Sequence, residues 1–395
     1  MHSVRSKRVF ANQGFIKGWE YLAPFDPYST RQYMRTQSGY PGTVATWLET
    51  MDTGTNLFDE SFTESVLDSL DFGYPTAKHN VRKGDKEIKW WCIKGGTRML
   101  TAAMLRQLKI PMKPNCKVTR LVLKELVQKM AVEIEGQAAP VQYDHVISTM
   151  PLPCLRSVDT TGAKLTYEQD LAIRCCHYDA SVKVGIKFKT RWWQDNPAIN
   201  IHGGSSNTDR PARTVVYPSY GMFDPTATGV LIASYSWSQD ALRLGALIQG
   251  PGSDAEKELI TVVLRDLAAI HEVSMQFLTD QMVGYYAHNW YDDPHTQGAF
   301  ALYGPGQFGD LFAGVTRPAS GGLLHIAGEA ASVHHAWVAG ALNSAWRSVA
   351  EILIHEGMWD KLKMLEQEWP IPDEISIETL IKQVGISRAA VKSKK

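Results

Sequence analysis

Apolar residues alternate strictly with Lys183, Gly185 and Lys187 across residues 182–188: Val182, Val184, Ile186 and Phe188 point one way. That period of two predicts a strand with one buried face and one polar face. Ser253–His271 reads differently. Leu259, Val262, Val263, Leu267 and Ala268 recur at helical spacing and predict an amphipathic helix. Helical spacing also runs through 14–70, with Phe15, Trp19 and Tyr21, then Val44, Trp47 and Leu48, and predicts short helices. Residues 73–87 turn polar and glycine-bearing and read as a loop, with Glu87–Ile93 as a strand after it. Gly95 and Gly96 end that strand, and Thr97 is placed to cap a helix reaching Gln107. Val118–Val122, Ala131–Ile134, His145–Ser148 and Leu323–Ala327 read as strands. A helix from Gly340 to Ile354 carries the stripe Ala341, Leu342, Ala345, Trp346, Val349 and Leu353. The tail after Gly357 is acidic and amphipathic and ends in AAVKSKK, read as frayed.

This is an α/β pattern of mixed character. With 395 residues it is long for one domain. That length suggests about two to three domains, with 357–395 as a tail. Lys and Arg total 41, as do Asp and Glu, so bulk charge gives no reason to expect a nucleic-acid partner. No apolar run is long enough to span a membrane. Met1–Ala11 is basic without an apolar stretch, so it is not a secretory signal, which leaves a cytoplasmic location as the default. The 12 Trp and 15 Tyr suit a site for a flat ligand.

Candidate chemistry is weighed residue by residue. Gly304-Pro305-Gly306-Gln307-Phe308-Gly309 has the spacing of a dinucleotide loop, with Glu329 20 residues beyond it. Pro305 removes a backbone N–H where one is needed, and the following residues leave no room for a proper helix. A tight loop between strands is the preferred reading. His334, His335 and Glu329 are close in sequence, but no other residues have ligand spacing, so no metal is expected. Cys175 and Cys176 read as buried packing. On pattern alone Lys183 is a solvated lysine. The run from His335 to Ala341 leads small and aromatic residues into a helix N-terminus, which suits an anionic ligand edge.

Four stretches then carry a family likeness. They are Ile326–Ala341 (IAGEAASVHHAWVAGA), Ile201–Pro218, Trp290–Phe308 and Ser181–Trp193. Together they resemble the flavin-containing amine oxidases, in particular the L-amino-acid oxidase branch and its fungal members. The likeness runs from about Trp19 to Leu353, and it implies a split, partial FAD-binding domain, 88–160 with 290–356, and an interleaved substrate domain of mixed sheet and helices, 14–87 with 161–289. It implies an FAD enzyme that oxidises an L-amino acid or related amine, using molecular oxygen, to a 2-oxo acid, ammonia and hydrogen peroxide. By the same likeness Lys183 holds a water at the flavin N5, and Trp337 and Trp290 are aromatic walls. Tyr235 hydrogen-bonds the substrate carboxylate, and Phe300 and Ala336 face the substrate. Val118 meets the adenine, while Gly328, Glu329, Trp337, Val338 and Ala341 contact the flavin. The family's opening glycine-rich FAD segment and its early substrate arginine have no counterpart in these residues. We therefore expect an incomplete or split flavoenzyme, with a missing segment, a partner chain or a second copy completing it. A flavin-free module of the same fold is the alternative.

Overall fold

The computed structural model describes residues 9–10, 13–73, 91–220 and 229–392. The chain forms two compact units, each discontinuous in sequence. One contains residues 1–27, 63–177 and 300–395, the other 28–62 and 178–299. The divisions fall at 27/28, 62/63, 177/178 and 299/300, whereas the resemblance implies 87/88, 160/161 and 289/290. The helix Phe62–Gly73 starts at the second of them. Its Glu64 binds the backbone of Tyr303, which places its side chains in the first unit.

The second unit is built on a five-stranded antiparallel sheet. Its order is Met282–Asn289, Ser181–Phe188, Gly229–Trp237, Thr214–Val216 and Ser205–Asn207. The alternation in the second of these strands is realised. Val182, Val184, Ile186 and Phe188 are all fully buried, each contributing about 1.5–3 kcal/mol from burial. They pack with Trp192, Trp193, Leu231 and the inner side of the helix Asp254–His271, where Leu259, Val263 and Leu267 lie. Ser253 caps that helix by accepting from the Glu256 N–H, and Glu272 closes it in the left-handed conformation.

The first unit holds a three-stranded antiparallel sheet, Val118–Lys124, Lys129–Ile134 and Val141–Tyr143. It also holds a parallel pair, Val146–Ser148 with Leu324–Ile326. The expected helix at Gly340 begins two residues earlier and spans Val338–His355. The tail is a correction. AAVK lies inside the helix Ile377–Lys392, because Leu380 and Val384 pack with Leu362 on Trp346, Ala350 and Ile354. Residues 393–395 lie outside the described residues. So do 74–87 of the expected loop and 87–90 of the expected strand, while 91–93 are without strand pairing. Thr97 precedes the helix Arg98–Gln107, but its side chain makes no cap hydrogen bond. The glycine signature at 304–309 leads into two short helices, Gln307–Asp310 and Phe312–Thr316, rather than directly into a strand. Asp26 accepts from the Gly309 N–H there at 2.9 Å, so a carboxylate of the chain itself meets that backbone. No helix among the described residues is long and apolar enough to cross a membrane.

Candidate active site

In the second unit the sheet register does the positioning. Lys183 is paired with Tyr235 on one side and with His288 on the other. Directly opposed residues share a face of a sheet, so all three side chains leave on the side opposite the core. Lys183 is half-buried there, not solvated as its pattern suggested. Its Nζ sits 4.6 Å from the centroid of the Tyr235 ring. Burial holds the lysine below its ordinary pKa. It forms no ion pair among the described residues. Tyr235 stands edge-on to Trp237 at 5.8 Å, and His288 stands edge-on to Trp290 at 4.2 Å. Lys183, Tyr235 and Trp290 are thus drawn to one face, with His288 between the lysine and the tryptophan. His288 was not foreseen. Only the register of the two strands reveals it.

The same unit anchors its helical segment on a buried arginine that sequence reading also missed. Arg213 donates to the backbone oxygens of Glu49 and Asp52 and faces Asp240 at 3.4 Å. Asp240 accepts from the Thr55 N–H at 2.8 Å. Beside it Gly54 passes so close to Trp237 that a Cβ would meet the tryptophan carbonyl oxygen at 2.5 Å. The loop 52–55 is thereby held against the end of the strand that carries Tyr235.

In the first unit the remaining expected residues other than Val118 lie before or at the start of the helix Val338–His355, or are joined to that stretch through Glu329. Glu329 spans two pieces of backbone, accepting from the N–H of Ala301 at 3.1 Å and of Ala336 at 2.9 Å. Burial keeps its carboxyl above the usual range. The glutamate therefore fixes the backbone beside Phe300 and Trp337. Gly328, at φ 132°, donates to the Ser344 hydroxyl at 2.8 Å, and that hydroxyl donates to the Ala341 carbonyl at 2.8 Å. Ala336 is in the left-handed region at φ 63°. Trp337 is the residue preceding the helix and packs edge-on to Phe72 at 5.0 Å. No side chain caps the helix, whose first turn exposes Val338. Its uncapped N–H groups suit an anionic or electron-rich partner.

Behind this lies a buried acid–base pair outside the expected set. His335 Nδ1 meets Glu64 at 2.8 Å, and the same carboxylate accepts from the Tyr303 N–H at 2.9 Å. Burial lowers the His335 pKa, but Glu64, with Glu329 and Glu374, outweighs it and holds the ring above its ordinary value. The two histidines read as neighbours of Glu329 are thus committed to acids, His334 to Asp71 at 2.5 Å and His335 to Glu64. Glu64 and Asp71 carried no signal beyond ordinary helix surface. Val118 stands apart from the helix. It opens its strand opposite Ile134 and lines a cavity of about 360 Å³ with Val132, Tyr143 and His145.

Residues 4–353 match the family described as flavin containing amine oxidoreductase. The chain is 42% identical over 91% of its length to a Dictyostelium discoideum protein named as a bifunctional amine oxidase. It is 41% identical over 85% of its length to L-amino-acid oxidase 4 of Hebeloma cylindrosporum, and 29% identical over 90% to an L-amino-acid oxidase of Siganus canaliculatus. It spans 33%, 56% and 62% of these three relatives. In fold it is similar to a putrescine oxidase bound to putrescine, with a TM-score of 0.65 at 16% identity. That match covers 89% of this chain and 73% of the other.

Proposed function

The chain belongs to the flavin-containing amine oxidoreductase family, and on that premise we propose that it carries the lysine, aromatic and helix-N-terminal parts of an FAD-dependent L-amino-acid oxidase. The reaction is R–CH(NH3+)–COO⁻ with oxygen and water going to the 2-oxo acid, ammonium and hydrogen peroxide. The observation that carries the reading is Lys183. It projects from the polar face of its strand, is half-buried over Tyr235, and is pushed by burial toward its neutral form.

The residues present fit a flavin in two places. The helix Val338–His355 offers an uncapped N-terminus beside Gly328, where a Cβ would find its nearest atom, the Thr149 oxygen, only at 4.0 Å. The cavity beside Val118 is apolar on its strand side and large enough for a planar heterocycle. Gly328, Trp337, Val338 and Ala341 would hold the ring end of the cofactor, and Val118 the adenine. A two-electron acceptor for the Cα–H hydride, renewed by oxygen, is the chemistry that FAD would supply.

The chain's own groups do the rest. Tyr235 donates its hydroxyl to the substrate carboxylate and fixes the orientation of Cα–H. Trp290 shields the amine from water in the second unit, and Trp337 is the aromatic residue that the first unit brings to the flavin. Phe300 and Ala336 meet the substrate side chain. Lys183, drawn toward its neutral form, holds a water and moves a proton as oxygen is reduced. The test is peroxide release from FAD-reconstituted protein given L-amino acids, with flavin absorbance followed through gel filtration. Retained flavin with peroxide supports the reading. Loss of all flavin after reconstitution overturns it for this chain alone.

One observation favours a second reading, that of a module completed by another segment or chain. The helix Arg98–Gln107 buries none of its residues. Met104, Leu105, Leu108 and Ile110 are all exposed along it and just beyond it. Such an apolar surface calls for cover. A monodisperse apo-monomer in solution would count against it.

A further inference from the structure

His145, His355 and Glu356 meet at one point of the first unit, with one ligand-type atom from each within 4.8 Å of the others. A single oxygen of Glu356 lies 2.9 Å from His145 Nε2 and 2.9 Å from His355 Nδ1. His145 immediately precedes the strand Val146–Ser148, and His355 ends the helix Val338–His355. His355 is therefore carried on a helix, and His145 sits at the edge of a strand. Gly322 presses on the His355 ring, where a Cβ would lie 2.5 Å from Cδ2. The two imidazoles are largely shielded, at 9% and 13% exposure, while Glu356 reaches water at 41%.

Behind His145 runs a buried row. His145 Nδ1 is 3.2 Å from His325 Nε2, His325 Nδ1 is 2.7 Å from Glu351, and Glu351 is 2.6 Å from Arg347. Carboxylates only accept, so a metal ion on His145 Nε2 would leave His145 Nδ1–H to donate to His325 Nε2 and His325 Nδ1–H to donate to Glu351. A ligating histidine whose second nitrogen is tied to a fixed acceptor is the usual support of such a site.

We propose that His145, His355 and Glu356 bind one divalent transition-metal ion of the zinc class, with a fourth position open to water. Zinc bonds of about 2.0–2.1 Å place tetrahedral ligand atoms roughly 3.3 Å apart. The two nitrogens at 2.9 Å from the Glu356 oxygen need to spread from it by only a few tenths of an ångström, and all three ligand atoms lie within 4.8 Å of one another. Two neutral imidazoles and one carboxylate leave a net negative charge to receive the cation. The ion staples the end of the helix to the start of the strand.

The test titrates zinc chloride into chelator-treated full-length protein by calorimetry and repeats it with cobalt chloride, whose visible bands report tetrahedral nitrogen and oxygen ligation. We expect one ion per chain, a higher melting temperature with zinc, and at least tenfold weaker binding in His355→Ala and Glu356→Gln. His325→Asn, which keeps the ligands but alters the row behind them, weakens binding about 10- to 100-fold. His202→Ala, at an exposed histidine elsewhere, leaves it unchanged. Absence of one-to-one binding by the wild-type protein, or equal binding by both ligand variants, overturns the proposal. The metal-binding readout requires neither flavin nor amine.

Discussion

Glu64 and His335, 271 positions apart, meet at 2.8 Å with both side chains almost wholly shielded from water. The histidine's pKa is raised in the folded chain, so its protonation stabilises the fold. That contribution is complete below the unfolded value of 6.5 and is lost as pH rises through the folded value. His334, raised by Asp71 against the opposing effect of burial, behaves in the same direction. The melting temperature should therefore fall as pH is raised from about 6 to about 9. Glu64→Gln should lower it most at the acid end, by the equivalent of about 3–5 kcal/mol at full effect. A variant with an unchanged pH dependence would remove His335 from this role.

Lys183 works in the opposite sense. Its pKa is depressed by burial, so at neutral pH the folded chain carries the cost of keeping it charged. Lys183→Met should be neutral or slightly stabilising in thermal melts at pH 7. The same variant should slow oxygen-dependent reoxidation of the reduced flavin by about 100-fold, the scale of a lost proton carrier. Stopped-flow reduction by substrate under anaerobic conditions should change far less. Equal losses in both half-reactions would mean that Lys183 shapes the site generally rather than serving oxygen.

The contrast between Lys183 and the strand that bears it shows what the sequence could convey. Alternation at 182–188 determined which face of the strand is buried, because period-two burial is a local property. It could not reveal that Tyr235 and His288 flank the lysine, since that depends on register with strands about 50 and 100 residues away. The long helix at 338–355 was legible from its stripe. Its supports were not, because Glu64 and Asp71 come from the helix Phe62–Gly73 and look like ordinary surface acids. The terminal helix was misread for the same reason. Its Ala and Lys residues resemble a frayed end until Leu380 and Val384 find Trp346 and Ile354. Likewise, the grouping of His145 with His355 and Glu356 needs the parallel strand pair to bring the start of one strand to the end of a distant helix.

Two helical glycines should respond with opposite signs to the same substitution. Gly340 sits where a Cβ would lie 2.1 Å from the His334 carbonyl oxygen, so Gly340→Ala must displace backbone at the start of the helix. We expect a loss of about 1–3 kcal/mol and weaker flavin retention. Gly385 lies in the helix Ile377–Lys392 with nothing within 4 Å of its would-be Cβ. Gly385→Ala should stabilise by about 0.5–1 kcal/mol, through helix propensity and a less flexible unfolded chain. Urea midpoints for the two variants would check both signs. A destabilised Gly385→Ala would show that the terminal helix packs on this face.

Cys176 and Cys92 should differ sharply toward a thiol reagent. Burial pushes the Cys176 thiol up to about 12, and its neighbour Cys175 adds in the same direction, so almost no thiolate exists at pH 8. Cys92 is exposed. A chromogenic disulfide should therefore modify Cys92 within the fast phase of the native protein and leave Cys176 intact. Cys92→Ser should remove most of that phase, whereas Cys176→Ser should leave its amplitude unchanged. In denaturant Cys176 should become as reactive as the others. Fast labelling of Cys176 in the native state, read by peptide mass mapping, would mean that the helix Tyr167–Cys175 opens locally at its C-terminal end on the labelling timescale.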